Sequence, residues 1–532
     1  MNVRHLALVL AVSSPVACIA ASDQAAPAPP AAAAAPALDV AELSAADARA
    51  RMAAGTLTAR ALTEAYLARI AAVDKAGPRL NAVIELNLTA VADAEALDAE
   101  RKAGTLRGPM HGIPVLLKDN IDAVGMVNSA GSLALADNRP KADAFMVARL
   151  RAAGAVILGK TNLSEWANFR STRSSSGWSS RGGQTRHAYV LDRNPCGSSA
   201  GTGTSIAASL AAVGVGTETD GSILCPAAVS GLVGLKPTVG LVSRSGIIPI
   251  SISQDTAGPM TRSVTDAAML LTAMAGVDAA DPSGAAATGK IPADYTALLK
   301  ADALTGKRFG VVRQAMGYHP DVDAAMAKAI DTLKTAGATM VDVRIATYNR
   351  WSDPEFEVLL YEFKDGLNAY LKRSGSPHTS LEALIAWNTA NAATAMPFFG
   401  QEIFEQAQAK GPLTEAAYLK AKADAKRLAG RDGLVAALEA QKLDALIAPS
   451  MAPTWPTDHV LGDHFVGAGY GMAAVAGTPS LTVPMGDTLG LPLGLAFMGR
   501  AYGEGELLAF GYAFEQKTKA RRAPEYKSTL GQ

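Results

Sequence analysis

Short apolar runs alternate with segments of helical spacing over most of the chain. IPVLLK at 113–118 is continuously apolar up to its final lysine, and AVILGK at 155–160 has the same form. Continuous apolar runs of this length are typical of strands that are buried on both faces. The segment between them that reads VARLRAAG, at 147–154, has the spacing of an amphipathic helix. The alternation predicts an α/β protein with a central mixed or mostly parallel twisted sheet covered by helices.

The section from about 278 to 441 carries longer and more charged helices, such as EFEVLLYEFKDGLNAYLKR. It could form a separate domain, but it also contains two apolar runs, KRFGVVRQ at 307–314 and ATMVDVRI at 338–345, that look like strands extending the sheet. LDALIAPS and SLTVPM then return to the apolar strand pattern, and a final helix closes the chain. The simplest prediction is one interwoven domain over residues 39–525.

The first 38 residues have the composition of a targeting segment and a linker. Arg4 and His5 precede an apolar stretch rich in small residues, with cleavage options near Ala20 to Ser22. We therefore predict a signal peptide at 1–22, too short to span a membrane, and an extended Ala/Pro linker at 23–38. The protein is expected to be exported, to a periplasm or to the exterior. An alternative makes Cys18 a lipid-attachment site, which the proline at position 15 fits poorly.

The charge balance narrows the range of partners. Lysine plus arginine and aspartate plus glutamate both number 49, so the formal net charge is zero, and aromatic residues make up only 5%. A neutral chain offers no electrostatic basis for binding nucleic acid or an anionic membrane. The substrate is expected to be a small molecule or a flexible chain. The sequence does not indicate an oligomeric state.

Two serines and one lysine are the strongest candidates for chemistry. Ser198 lies in CGSSAG, Ser222 lies in TETDGS, and Lys118 ends the apolar run IPVLLK. A serine hydroxyl needs a base to become a nucleophile, and burial lowers the pKa of a lysine towards neutrality. A neutral Lys118 could accept a proton from Ser198 while Ser198 accepts one from Ser222. Taken alone, Lys118 is more typical of a lysine that reaches the surface or pairs with Asp119 or Asp122.

The segment around Ser222 also suggests an oxyanion hole. It follows a predicted strand and precedes a short helix, where backbone N–H groups are unpaired and the helix dipole is positive. The amides of Thr219, Asp220, Gly221 and Ser222 could therefore bind a developing oxyanion.

Only two cysteines remain beyond the predicted leader, Cys196 and Cys225, and each lies within three residues of a candidate serine. They could pair in an oxidising compartment, although two small buried thiols behind the site are the favoured interpretation.

Taken together, GIPVLLKDNID, CGSSAG and GTETDGSILCPA resemble the motifs of the amidase signature family, and peptide amidases in particular. The segments SGLVGLKPTVGLVSRSGIIPISISQDTAGPM and AVAGTPSLTVPMG add to the resemblance, which runs from about Asp39 to Arg522. The resemblance implies the amidase signature fold and hydrolysis of carboxamides without metal, nucleotide or organic cofactor. C-terminally amidated peptides that release ammonia are the first expectation. Aryl or aliphatic amides, or esters, are the alternative.

Residue by residue, the resemblance implies that Lys118 is the base, Ser198 the bridging serine and Ser222 the acyl-accepting nucleophile. It also implies a cis peptide bond before Ser198, and supporting hydrogen bonds from Ser199 and Thr217. Many members of the family have a glycine where this chain has Asp220. That carboxylate could recognise substrate or tie down its loop.

Other interpretations of the same residues are weaker. GSSAG also matches G-x-S-x-G, with Ser199 as an α/β-hydrolase nucleophile, but the preceding LDRNPC is a poor strand. That mechanism would also need a histidine base, from His319, His378, His459 or His464. Asp458, His459, Asp463 and His464 fit no standard metal-ligand spacing and favour an exposed loop.

Three aromatic residues near the predicted site, Trp166, Phe169 and Trp178, are candidates for an acyl pocket or for the core. Two further functions are a secreted peptide-binding protein without turnover and an ammonia-producing component of a larger complex. The set of two serines and one lysine argues against the first, and the predicted leader argues against the second.

Overall fold

The computed structural model describes residues 38–531. The predicted signal peptide, with Cys18, and the predicted linker lie outside these residues, except for Leu38. Within the described part, no helix is both long and apolar enough to cross a membrane.

A mixed sheet of eleven strands forms the centre of residues 38–531, in the order β1-β3-β2-β6-β8-β7-β12-β13-β11-β9-β10, and β4 pairs with β5 separately. The strands are β1 (Val83–Leu86), β2 (Pro114–Lys118), β3 (Val156–Thr161), β4 (Trp178–Ser179), β5 (Gly183–Gln184), β6 (Val213–Glu218), β7 (Val233–Lys236), β8 (Thr256–Thr261), β9 (Arg308–Val312), β10 (Thr339–Val343), β11 (Ala445–Pro449), β12 (Ser480–Thr488) and β13 (Leu491–Met498).

Helices cover the sheet and form the segment after β10. The α-helices are α1 (Ala45–Ala53), α2 (Ala59–Arg69), α3 (Ala90–Lys102), α4 (Phe145–Ala152), α5 (Ala200–Ala207), α6 (Leu224–Val229), α7 (Val264–Met274), α8 (Pro320–Thr335), α9 (Ser352–Ser374), α10 (Leu381–Ala390), α11 (Ala392–Ala395), α12 (Glu402–Gln408), α13 (Ala416–Lys426), α14 (Ala436–Ala440), α15 (Gly471–Ala476) and α16 (Glu504–Thr518). Two π-helical stretches, Ile70–Lys75 and Arg427–Val435, extend α2 and α13.

The predicted fold class is confirmed, including the buried strands. Every residue of β2, β3 and β6 is buried, as continuous apolar runs require. β2 pairs in parallel with both β3 and β6. β9 and β10 pair with each other and extend the far edge of the same sheet, so the charged helical section after residue 278 does contribute strands to it.

Two central strands were not predicted from the sequence. β8 reads TAGPMT and β13 reads LPLGLAFM, and glycine and proline normally weaken a strand assignment. β8 pairs antiparallel with β6, with Thr256 opposite Glu218. This pairing matters for function because it places Asp255 beside the loop that follows β6.

A buried polar network fastens α9 to the segment that follows β2. The Tyr370 hydroxyl donates to Asp122 Oδ1 at 2.7 Å and accepts from the side-chain amides of Asn128 and Asn138 at 3.0 and 3.1 Å. Tyr370 is 1% exposed. Removing the partner of a buried polar group costs more free energy than one hydrogen bond contributes. The Tyr370 hydroxyl is therefore expected to stabilise the fold measurably.

Tyr370→Phe should therefore lower the free energy of unfolding by about 1–3 kcal/mol. The matched control is Tyr295→Phe, since Tyr295 is equally buried and its hydroxyl has no hydrogen-bond partner among the described residues. Urea titration followed by circular dichroism would compare the two variants with the wild type. Equal losses in both variants would contradict the role assigned to the Tyr370 network.

Candidate active site

Lys118 ends β2, an interior strand of the sheet, and its amine is enclosed there. Its Nζ lies 2.7 Å from Ser198 Oγ, 2.9 Å from Thr217 Oγ1 and 3.2 Å from the Thr217 carbonyl oxygen. The parallel pairing of β2 with β6 brings Thr217 alongside, and the Lys118 side chain is fully buried. The structure therefore brings together three of the residues singled out from the sequence.

The carboxylates that could have neutralised Lys118 are engaged elsewhere. Asp119 forms ion pairs with Lys160 at 3.3 Å and with Arg181 at 3.2 Å, and Asp122 accepts the hydrogen bond from Tyr370. Lys118 forms no ion pair with any residue in 38–531. The interpretation of Lys118 as a surface lysine, or as a partner of Asp119 or Asp122, is wrong.

Burial without a counterion lowers the pKa of Lys118 to about 7. Loss of hydration, which penalises the charged ammonium, is the main cause. The carboxylates of Asp255 and Glu218 partly oppose it by attracting the positive charge. The amine is therefore largely neutral at mildly alkaline pH.

Ser198 and Ser222 lie on two loops that touch each other. Ser198 precedes α5 and follows a cis peptide bond from Gly197, while Ser222 lies between β6 and α6. The Ser199 N–H donates to the Ser222 carbonyl oxygen at 3.2 Å and ties the two loops together. Both serines line one narrow cavity of about 10 Å³. The hydroxyl of Ser222 makes no hydrogen bond to any described residue, so it is free to act on a ligand there.

Four consecutive backbone N–H groups near Ser222 have no acceptor among the described residues. They belong to Thr219, Asp220, Gly221 and Ser222, the residues that the sequence suggested for an oxyanion hole. The next two N–H groups, at the start of α6, both donate to Glu218 Oε2, at 2.8 and 3.0 Å. The unpaired donors therefore precede α6 instead of belonging to its first turn.

Glu218 and Asp255 hold this loop in place, and sequence reasoning assigned neither of them a role. Asp255 accepts from the Thr219 hydroxyl at 2.6 Å and from the N–H groups of Ile250 and Ser251 at 2.9 Å. Burial raises the pKa of Asp255 to about 6 despite these bonds. The only signal in the sequence was the position of Asp255 in the family-like segment SISQDTAGPM.

Ser199 supports the site and has no histidine beside it. Its Oγ donates to the Thr217 carbonyl oxygen at 3.1 Å and accepts from the Thr217 N–H at 3.3 Å. The Thr217 hydroxyl accepts in turn from Asn120 Nδ2 at 2.9 Å. No histidine is among the hydrogen-bond partners of Ser199 in the described chain, so the geometry gives no support to an α/β-hydrolase arrangement.

The acidic and histidine-containing segment at 458–464 forms a loop near the site. Asp463 accepts from the Ser176 N–H and from Asn194 Nδ2, and His459 stacks on Phe398 with ring centroids 4.1 Å apart. In residues 38–531, no three His, Cys, Asp or Glu side chains are grouped so as to hold a metal ion.

The three candidate pocket aromatics are all buried. Trp166 and Phe169 pack in an apolar cluster with residues of α9 and α12, while Trp178 contacts Phe398 and Phe399 edge-on. The residue of this segment that lines the cavity with Ser198 and Ser222 is Ala167, which lies between Trp166 and Phe169 in the sequence.

Cys196 and Cys225 form a disulfide, with their Cα atoms 6.1 Å apart. The favoured interpretation of two free buried thiols is therefore wrong. Cys196 precedes Ser198 by two residues and Cys225 lies in α6, three residues after Ser222. The bond therefore links the two serine-bearing segments covalently.

Replacing both cysteines by alanine should lower the free energy of unfolding by about 3.6 kcal/mol, the loop-closure value for a separation of 29 residues. Denaturant titration with and without reductant would test this. The reductant should destabilise the wild type but not the double variant. Peptide mapping of the unreduced protein that found both thiols free would contradict the assignment.

Comparison with known proteins places the chain in a family. The sequence model of the Amidase family matches residues 61–508. The protein named Probable amidase in Arabidopsis thaliana is 40% identical over 494 residues, covering 88% of this chain and 89% of that protein. The protein named Putative amidase in Arthroderma benhamiae is 37% identical over 489 residues, covering 86% and 79%. The crystal structure of peptide amidase from Stenotrophomonas maltophilia superposes with a TM-score of 0.88 at 54% identity, covering 91% and 99%. The chain belongs to the amidase signature family and is a hydrolase that acts on amides.

Proposed function

We propose that the protein hydrolyses carboxamide C–N bonds with a Ser-Ser-Lys triad, in which Ser222 is the nucleophile, Ser198 the proton bridge and Lys118 the base. The observation that carries the proposal is the 2.7 Å contact between Lys118 Nζ and Ser198 Oγ. The amine is buried and has no ion-pair partner among the described residues, and Ser198 lines the same cavity as Ser222. No second base lies within hydrogen-bond reach of Ser198 in residues 38–531.

The surroundings of Lys118 direct its lone pair. A neutral amine has two hydrogens and one lone pair, and Nζ has three neighbours. The Thr217 carbonyl oxygen can only accept, and the Thr217 hydroxyl oxygen already accepts from Asn120. If both hydrogens of the amine donate to Thr217, the lone pair faces the Ser198 hydroxyl. Ser198 can then pass its proton to Lys118 as it accepts one from Ser222.

The reaction follows from this relay. Ser222 Oγ attacks the amide carbonyl carbon while its proton moves through Ser198 to Lys118. The oxyanion is bound by the N–H groups of residues 219–222, and one such donor typically lowers the barrier by about 3–4 kcal/mol. The relay returns the proton to the leaving nitrogen, which departs as ammonia or an amine. Water then hydrolyses the acyl-enzyme by the same path, and no cofactor takes part.

C-terminally amidated peptides are the proposed substrates. Support comes from the peptide amidase of Stenotrophomonas maltophilia, at 54% identity over nearly its whole length. A second support is a cleft of about 550 Å³ that reaches Asp220, two residues before the nucleophile. Such a cleft has room for an extended peptide as well as for a small amide.

We further propose that the protein is exported. The disulfide between Cys196 and Cys225 supports this location, because disulfides persist in oxidising compartments and are rare where thiols are kept reduced.

Ammonia release from a C-terminally amidated dipeptide is the direct test of the activity. The wild type should release it, Ser222→Ala should be at least about 1000-fold slower, and the matched Ser199→Ala should lose only about tenfold. A loss confined to Ser199→Ala would move the nucleophile to the alternative motif. A wild type that releases no ammonia from any peptide amide would overturn the proposed substrate class.

The pH profile tests the base. Because neutral Lys118 is the active form, kcat/KM should rise with pH through an apparent pKa of about 7 and then level off. Lys118→Ala should lose most turnover at every pH while circular dichroism shows a folded protein. The controls His319→Asn and His459→Asn should keep the wild-type profile. A rising limb that disappears in either histidine variant would contradict the lysine mechanism.

A further inference from the structure

A large cleft begins directly beside the nucleophile loop. It is lined by Asp220 and by residues of the three segments 314–318, 348–352 and 465–472. Four of the lining residues are tyrosine or tryptophan, namely Tyr318, Tyr348, Trp351 and Tyr470. Asp220 is the sole charged residue among those that line the cleft in the described chain, and its side chain is exposed to it.

The carboxylate of Asp220 has no partner. It accepts no hydrogen bond and forms no ion pair within residues 38–531. The indole N–H of Trp351 is likewise unpaired in this part of the chain, and the hydroxyl of Tyr318 is buried without a partner there. A cleft wall with an unpaired acceptor and unpaired donors favours a ligand that satisfies them.

Gly471 keeps the space in front of Asp220 open. A Cβ atom at this position would lie 3.5 and 3.7 Å from the two carboxylate oxygens and 3.9 Å from Trp351 Nε1. The carboxylate and the indole ring therefore border the same space. A ligand group that entered it would meet both at van der Waals or hydrogen-bond distance.

The cleft is next to the reacting groups. The ring of Tyr470 lies against Gly221, where a Cβ would be 2.1 Å from Cε2 of that ring. Gly221 in turn lies between Asp220 and Ser222, and its N–H is one of the four unpaired donors. The wall of the cleft therefore touches the loop that carries Ser222, and Asp220 lies two residues from the proposed nucleophile.

The charges around Asp220 favour a cation. Glu218 and Glu355 face Asp220 from β6 and α9, so the exposed carboxylate has two negative charges near it. Glu355 is buried and accepts from Gln254 Nε2 at 2.8 Å, and its own pKa is raised well above the usual range by burial and by Asp220. Lys236 lies behind the loop, where its Nζ donates to the Pro237 carbonyl oxygen. A cation entering the cleft would relieve the repulsion.

The other role open to Asp220, tying down its loop, is performed by different residues. Glu218 holds the N–H groups that follow Ser222, and Asp255 holds the hydroxyl of Thr219. Asp220 adds no hydrogen bond to either arrangement. Its side chain is thus available for a ligand.

We propose that Asp220 is a specificity-determining residue that binds a protonated amine or guanidinium in the acyl part of the substrate, with the aromatic rings of the cleft around the cation. The inference rests on the proposed amidase activity and deepens it. Carboxylates pair with such cations, and aromatic faces attract them. The cation could be the N-terminal ammonium of a short peptide amide or a lysine or arginine side chain of a longer one.

Two pairs of substrates separate these sources. In the first pair, glycyl-phenylalaninamide is compared with propionyl-phenylalaninamide, in which a methyl group replaces the ammonium. In the second pair, acetyl-lysyl-phenylalaninamide is compared with acetyl-norleucyl-phenylalaninamide. Ammonia release would be measured at about pH 7.5, where Asp220 is mostly ionised and the amines are mostly protonated.

In the wild type, the cationic member of at least one pair should have a kcat/KM about tenfold above that of its neutral partner, mainly through a lower KM. The ratio should fall to about one in Asp220→Asn. The matched control Asp331→Asn removes the same charge from an exposed site on α8 and should keep the wild-type ratio. Raising the ionic strength from about 0.05 M to about 0.5 M should also reduce the wild-type ratio, because salt screens an ion pair that is open to solvent.

The outcomes are distinct. No ammonia from any of the four amides would overturn the proposed substrate class and this inference with it. Ammonia from both members of each pair at equal kcat/KM in the wild type would overturn only the inference, as would a ratio that Asp220→Asn retains. If Asp220→Asn is inactive or unfolded, the wild-type salt series decides, and a ratio that does not change with salt would overturn the proposal.

Discussion

Burial of an amine without a counterion is the constraint on which the site depends. Moving the pKa of Lys118 from 10.5 to about 7 costs about 5 kcal/mol, a large fraction of the stability of a typical domain. Because the pKa is lower in the folded state than in the unfolded chain, this cost is fully present below about pH 7 and fades as pH rises towards 10.5. Only a large, rigid core can bear it. The eleven-stranded sheet supplies that core, and Lys118 ends one of its interior strands.

A second lysine on the neighbouring strand shows that burial alone does not make a base. Lys160 on β3 is as buried as Lys118, and Leu117 is its partner in the ladder. Its ammonium donates to the Ile121 carbonyl oxygen at 2.6 Å and pairs with Asp119 at 3.3 Å. Burial lowers the pKa of Lys160 as well, but Asp119 and Asp122 oppose this by attracting the ammonium. The assignment of Asp119 to Lys160 is thus part of what leaves Lys118 without a carboxylate and able to accept a proton.

The sequence was informative where local pattern decides structure. Continuous apolar runs identified β2 and β3, and the residues around Ser198 and Ser222 were recognisable from their motifs. The sequence was uninformative where distant segments meet. β8 contains glycine and proline that argue against a strand, and only its pairing with β6 places Asp255 beside Thr219. The disulfide was undecidable for the same reason, since no local feature reports the distance between two cysteines.

The segment from Glu218 to Ser222 divides several tasks among adjacent residues. Glu218 and Thr219 fix the loop through their side chains, while Gly221 adopts a left-handed φ of +82° that a side chain would strain. Asp220 contributes its backbone N–H to the row of donors and its side chain to the cleft. Because the backbone and the side chain of Asp220 face different surroundings, the side chain can change while the unpaired N–H groups of residues 219–222 stay in place. Under the proposed role of Asp220, substrate preference can therefore change through residue 220 without rebuilding the loop. A side chain at residue 221, in contrast, would displace the ring of Tyr470 and distort the loop that carries Ser222.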